Sequence, residues 1–454
     1  MNELFDDFAK AYSSKNGYLL AQTLTPVPIS GQPHRLTRVW QSTNSHSVSG
    51  DIEHFIRINT TRKHGIDVNE LEAWVEIYTA YWTALGEILA GETGQSSWTK
   101  VYEAWRELTS KTIRGYGKAG FEVWTLPILY MIGKYLRLFA IKSDEERKRS
   151  SVAATSNSML IQDDFDPEAD QQAQLRDCEQ HLKRLFTLCF TDRNPPIEIS
   201  RQWGTYYFVN LLFKTYFKLN SASLSRTILT SLSQQTSLPH LRAFPKSQRV
   251  TFRYYEGVLF FLEEDYVQAE DRLTEAWQLC AHDAKNNLER ILTYLIPCRL
   301  LTSHKLPSEK LLEPFPRLKE LFSPLTECIR RGDLKSFDSA LQKGEDVFVQ
   351  RRIYLTLERG RDIALRNLLR KVFAIGGFVE KKNPSDPDVR RTRIPVAEFQ
   401  AAISMASGGQ VIDSDEVECL LANMIYKGLM KGYISREHGM VVLSKTGAFP
   451  GTGL

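Results

Sequence analysis

Apolar residues recur every three or four positions along most of this chain, and the strict alternation of a half-buried strand is nearly absent before residue 430. That periodicity predicts an array of amphipathic helices. Residues 1–20 read as one helix with Leu4, Phe5, Phe8, Ala11 and Tyr12 on a face, after which Pro26, Pro28 and Pro33 impose a loop. A second helix is predicted over 67–89 from Leu71, Trp74, Val75, Tyr78, Tyr81, Trp82 and Leu85. Others follow over 98–114, 126–141, 173–189, 203–219, 221–234 and 247–263. The stretch 142–172 breaks the series. It is rich in charge, Ser, Asn and Asp and lacks a sustained apolar face, so it is expected to be a flexible loop.

From Arg253 to Cys280 the text RYYEGVLFFLEEDYVQAEDRLTEAWQLC pairs two helices across Glu264-Asp265. Tyr254, Tyr255, Leu259 and Leu262 mark one apolar face, and Ala269, Leu273, Ala276 and Leu279 mark the other. Gly257, Ala269 and Ala276 are small enough for close helix contact. Such a pair has the character of a tetratricopeptide-like (TPR-like) unit, whose exposed face is buried only by stacking on neighbours. Helices over 287–301, 318–331, 334–343 and 348–360 continue the stack, without a strict sequence period.

The pattern changes at the C-terminal end. Asp413 or Ser414 can cap a helix carrying Val417, Leu420, Leu421, Met424, Ile425 and Leu429, which ends near Gly428. Two β-type runs follow, Tyr433-Ile434-Ser435 and Met440-Val441-Val442-Leu443, around the turn Arg436-Glu437-His438-Gly439. A helix followed by a hairpin is how a winged helix closes, with earlier helices expected over 362–378 and 395–404. The organisation read from these patterns is an N-terminal helical region 1–141, the loop 142–172, TPR-like repeats 173–360, a winged helix 361–447 and a tail 448–454.

Composition narrows the class. A chain of 454 residues exceeds the size of a single core, and 42% hydrophobic with 25% charged residues is ordinary for a globular protein. The start MNELFDDFAKAY has neither the basic residues nor the apolar core of a signal peptide, and no apolar run approaches the roughly 20 residues of a membrane span. The six cysteines form no CxxC pair and read as reduced core thiols. Net charge is +4, yet from Arg351 to Leu454 sixteen Lys and Arg stand against eleven Asp and Glu, so all of the excess lies at the C-terminal end. That placement suits a phosphate-backbone partner and equally an ordinary solvated surface.

Motifs for catalysis do not hold up. Gly115, Gly117 and Gly120 spell G-x-G-x-x-G, but a helical pattern precedes them where a strand is required, and a flexible helix-helix connection is expected instead. The nine histidines include no HxH or HExxH, and neither a P-loop nor GxSxG is present. No cofactor, metal, small-molecule substrate or membrane is called for. The basic residues do share a location: Lys381, Lys382, Arg390, Arg391 and Arg393 fill a loop between the first two winged-helix helices, Lys427 and Lys431 end the third, and Arg436 and Lys445 flank the hairpin. These nine are the candidate phosphate contacts, able to bind RNA or DNA without reading sequence. Tyr433 and the run Met440, Val441, Val442 and Leu443 are the candidate partner surface, as an exposed wing strand with unpaired backbone groups.

The runs YYEGVLFFLEEDYVQAEDRLTEAWQLC, the Arg290-to-Pro297 segment, RNLLRKVF from Arg366 and DEVECLLANMIYKGLMKGYIS from Asp415 resemble the PCI-domain family, over residues 250–445. Within it the chain looks like the branch that holds signalosome subunit 12 homologues and the PCI subunit of the nuclear transcription-export (TREX-type) complex. The basic loop ending RRTRIPVAEF is closer to the fungal members of the subunit 12 group. The resemblance implies a mainly α fold, a right-handed superhelix of TPR-like repeats followed by a winged helix. It also implies a non-enzymatic scaffold, a second PCI protein of the Sac-three type as partner, a small acidic disordered subunit shared with the proteasome lid, and RNA or DNA binding. The expected setting is nuclear mRNA biogenesis, covering elongation, splicing and export, with the cytoplasm as a second compartment. Arg249, Arg253, Lys285 and Arg290 are the candidate cations for the acidic subunit. The alternative is a purely structural subunit of a signalosome- or lid-like assembly, in which the winged helix only extends a shared sheet.

Overall fold

The computed structural model describes residues 1–29, 31–60, 66–155, 172–192, 196–379 and 390–453, without the side chains of 151–155. The protein is mostly helical, and among the described residues one three-stranded sheet lies near the C-terminus. Two compact units meet at Tyr255/Glu256, inside the helix Lys246–Leu262, and not at the boundaries drawn from the sequence.

The first unit is built on long helices, Val68–Glu92, Trp98–Ala119, Leu126–Thr155, Ala173–Phe190 and Thr205–Lys218. Its core is aromatic, with Phe5, Phe8, Trp74, Tyr78, Trp105, Phe208 and Phe213 buried. Buried polar tips find partners inside: Trp105 Nε1 donates to the Ile132 carbonyl at 3.0 Å, and the Tyr116 and Thr125 hydroxyls meet at 2.6 Å.

Three expectations for this unit are corrected. Residues 1–20 form two helices, Asn2–Ser13 and Gly17–Thr23, because Lys15 turns the backbone to φ +48° and Asn16 caps the second helix through the N–H groups of Tyr18 and Leu19. The G-x-G-x-x-G stretch is no flexible connection: Gly115 and Gly117 lie inside a helix that ends at Gly120 with φ +63°. A Cβ on Gly115 would come within 2.9 Å of the Phe121 ring, so packing explains that glycine.

The third correction concerns 142–172. The helix Leu126–Thr155 runs through Lys142, and residues 156–171 lie outside the described residues. Polar groups here join helices to one another. Asp144 accepts from the Gln174 and Leu175 N–H groups at 3.1 and 2.9 Å, capping the next helix, although burial pushes its carboxyl pKa up. Glu146 accepts from the Trp98 N–H at 2.7 Å, Ser143 meets Thr99 at 2.8 Å, and the Lys142 ammonium lies 3.8 Å from the Trp98 ring centre.

In the second unit the helix Tyr266–Leu279 packs along Lys285–Thr302, with Ala269, Leu273 and Ala276 fully buried. The close approach expected at Gly257 is present: a Cβ there would lie 2.7 Å from Leu273. The expected helix 348–360 is two short helices, Glu345–Gln350 and Tyr354–Glu358, split where Arg352 adopts φ +58°.

Candidate nucleic-acid and partner interface

Among the described residues the winged helix comprises three helices, Gly360–Ile375, Val396–Ala406 and Ser414–Tyr426, and three short strands, β1 (Arg393–Pro395), β2 (Gly432–Ser435) and β3 (Met440–Leu443). Asp413 caps the third helix by accepting from the Ser414 N–H at 2.8 Å. Helix and hairpin positions follow the sequence pattern; β1 does not, since Arg-Ile-Pro is too short to show alternation. It pairs antiparallel with β3, Arg393 opposite Val442, and the Leu443 N–H donates to the Thr392 carbonyl at 2.8 Å.

That pairing overturns the expected partner surface. The strand order is β1-β3-β2, so Met440–Leu443 is the central strand and its backbone is used on both sides. Val441 and Leu443 point inward with Ile394 and are buried. An exposed edge must come from β1 or β2, and of the five residues proposed only Tyr433 lies on one. The tail boundary at 447 moves as well: Ala448 and Phe449 are buried, the Phe449 ring lies 5.8 Å from that of Phe373, and the Lys431 N–H donates to the Ala448 carbonyl at 2.8 Å.

Side chains opposite one another in an antiparallel ladder share a face. Arg393, Val442 and Tyr433 therefore form one row across the outer face of the sheet, with Met440 and Ser435 in the next row. Arg393 is exposed and Tyr433 is 62% exposed. Lys431 precedes Tyr433 by two residues and is joined to Ser444 through the backbone at 2.9 Å, which brings Lys431 and Lys445 to the same end of the hairpin. Neither lysine, nor Arg393, has an acidic partner among the described residues.

Four of the remaining cations are engaged. Lys427 pairs with Asp362 at 2.6 Å and Arg391 with Glu398 at 2.7 Å. Arg436 meets Asp415 at 2.8 Å and Glu418 at 3.6 Å. Arg390 stacks near the rings of Phe373 and Phe378 and donates to the Ala374 carbonyl at 3.4 Å. Lys381 and Lys382 lie outside the described residues. The nine-residue cation set thus divides into three open charges on the sheet, four engaged ones and two not described. The first turn of the third helix carries Asp415 and Glu416, which complement the helix dipole and repel a phosphate approaching that end. What sequence reasoning missed is Tyr433 as a stacking group, because its place in one row with Arg393, across Val442, depends on β1.

Of the other candidates, Arg249 and Arg253 belong to the first unit, and Lys285 and Arg290 to the second. Four cysteines are buried, while Cys419 is exposed on the third helix and departs from the expected core role. Among the described residues, no three His, Cys, Asp or Glu are grouped to hold a metal ion, and no helix is long and apolar enough to cross a membrane.

Comparison with known proteins agrees with this architecture. Residues 341–445 match the PCI domain. A Gibberella zeae protein named Protein CSN12 homolog is 67% identical over 457 residues, covering all of both chains. The chain belongs to the CSN12-homologue family of PCI-domain proteins. The Schizosaccharomyces pombe CSN12 homolog is 33% identical over 99% of this chain and 97% of its own. PCI domain-containing protein 2 of Danio rerio is 30% identical over 72% of this chain and 73% of its own. The likeness of CSN12-family members to this chain extends far upstream of the PCI match and into the first unit, where the sequence alone had matched only in character.

Proposed function

We propose that this member of the CSN12-homologue family is a non-enzymatic scaffold that binds RNA or DNA without sequence preference through the outer face of its winged-helix sheet. The row Arg393–Val442–Tyr433, extended by Lys431 and Lys445, carries this reading. An exposed aromatic ring flanked by unpaired cations is what a single strand needs: every base has a face to stack, and every nucleotide a phosphate. The partners proposed from the family resemblance are a second PCI protein of the Sac-three type and a small acidic disordered subunit, in nuclear mRNA biogenesis.

A second reading draws on the outer edge of β2, which bears Tyr433 and could accept a strand from an assembly partner. Titration of labelled single-stranded RNA against the wild type and Tyr433→Ala separates the two. Stacking is worth about 1–3 kcal/mol per base, so the variant should bind at least about fivefold more weakly. Equal binding by the variant, with loss of partner assembly, would transfer Tyr433 to the assembly reading.

A further inference from the structure

The segment Arg366-Asn367-Leu368-Leu369-Arg370-Lys371 on the helix Gly360–Ile375 has four polar side chains, and only two have an evident structural task. Asn367 Nδ2 donates to the Ile329 carbonyl at 2.9 Å, and Lys371 Nζ to the Arg331 carbonyl at 2.8 Å. Together they satisfy the open end of the helix Pro316–Arg331. Arg366 and Arg370, one turn apart, have no carboxylate partner among the described residues.

Arg366 is only 6% exposed. Its Nη1 meets His304 Nδ1 at 2.9 Å, and its Nη2 reaches Asn367 Oδ1 at 3.4 Å. The Nε groups of Arg366 and Arg370 are both buried without an acceptor. A guanidinium does not shed its proton, so Arg366 is a buried charge held by neutral neighbours, with Arg370 adding a like charge.

His304 deepens the imbalance. It follows the helix Lys285–Thr302 and adopts φ +51°, a left-handed conformation that disfavours any residue with a Cβ. Burial, and then the Arg366 charge, hold its pKa below 6.5, so at neutral pH it supplies no charge. Arg330, exposed, donates to the Pro307 carbonyl at 3.4 Å on the same loop, and exposed Lys371 lies beside Arg370 in the chain, so further cations are near.

We propose that Arg366, Arg370 and His304 form a binding site for one small oxyanion, a phosphate or a carboxylate. Side chains four apart on a helix are neighbours, so the two unused Nε–H donors can converge on two oxygens of a single group. Because His304 Nδ1 accepts from Arg366, the neutral imidazole carries its proton on Nε2, and that N–H is a third donor. This site is independent of the sheet face and of the nucleic-acid reading.

The test titrates the full chain with inorganic phosphate, and separately with acetate, at constant ionic strength in chloride. The readout is the His304 imidazole resonance, assigned with His304→Gln. Saturable binding by either anion, with an upward shift of the His304 titration midpoint, is expected. Saturation by phosphate alone identifies a phosphate-type ligand, and saturation by acetate identifies a carboxylate. Arg370→Gln, at a half-buried position, should weaken binding about tenfold or more. Absence of a saturable shift with both anions, or unchanged affinity in folded Arg370→Gln, overturns the site.

Discussion

Neutralising Arg393, Lys431 and Lys445 to Gln should flatten the salt dependence of RNA binding, whereas neutralising Arg391, Lys427 and Arg436 should leave it nearly unchanged. The two sets have the same size and lie in the same small module, so net charge cannot separate them; their pairing does. In the second set each cation already has a carboxylate within 2.8 Å. A phosphate that recruited one would have to break a pair worth up to about 1 kcal/mol at an exposed site. In the first set no such competitor is present among the described residues. Each phosphate contact to a single strand contributes about 0.7 to the log–log salt slope, so loss of three lowers it by about 2. Between 50 and 200 mM salt, three contacts account for roughly an 18-fold change in affinity. The assay is fluorescence anisotropy across that range, with sedimentation velocity to confirm that partner assembly is retained. If the paired set lowers the slope as far as the open set, the sheet-face reasoning is refuted.

Three further outcomes are expected. Asp144→Ala removes the acceptor for two N–H groups at the start of the helix Ala173–Phe190 and should cost about 0.5–2 kcal/mol, read as a lower urea midpoint with an unchanged slope. Phe449→Ala should cost about 3–5 kcal/mol and raise hydrogen exchange across residues 390–453, since the ring is fully buried against Phe373. His181 and His304 both have pKa values held below 6.5 by burial, so between their folded values and 6.5 the unfolded chain binds more protons. Their contribution to stability should therefore be complete above about pH 6.5 and be lost on acidification; an acid limb of the same steepness in His181→Gln/His304→Gln would refute that origin.

The helices of both units were legible because one face of each packs on a core. The ends of Leu334–Lys343 and the start of Trp98–Ala119 coincide with the pattern, Asp413 caps where a capping residue was expected, and Asp67, the first residue of the predicted helix 67–89, is its cap. The pattern failed where polar side chains join helices. Lys142, Ser143, Asp144 and Glu146 carry no apolar stripe, yet each binds a group from another helix, so the spacing of apolar residues does not distinguish such a segment from a loop. Arg35–Gln41 spans only two turns and shows too little of a period, whereas Val48–Thr60 was missed although Val48, Ile52 and Ile56 recur four apart. For the candidate site, the cations themselves could be named from the text. Which of them are free could not, because Asp362 and Lys427 are far apart in sequence and meet only when the first and third helices pack. The central place of Met440–Leu443 was hidden for the same reason: its second neighbour is a three-residue strand nearly fifty positions earlier.

The β1-β3-β2 order also has a consequence for biosynthesis. A ribosome delivers β1, two helices and β2 before it delivers the strand that joins them, and Phe449 arrives later still. Until then Ile394 has no ladder partner and Phe373 lacks its covering ring. The nascent module must wait with apolar surface and two strand edges open, so this interval is when chaperones have the most to recognise. A premature stop ahead of Met440 would make that waiting state permanent and mark the product for degradation even though every upstream helix could form.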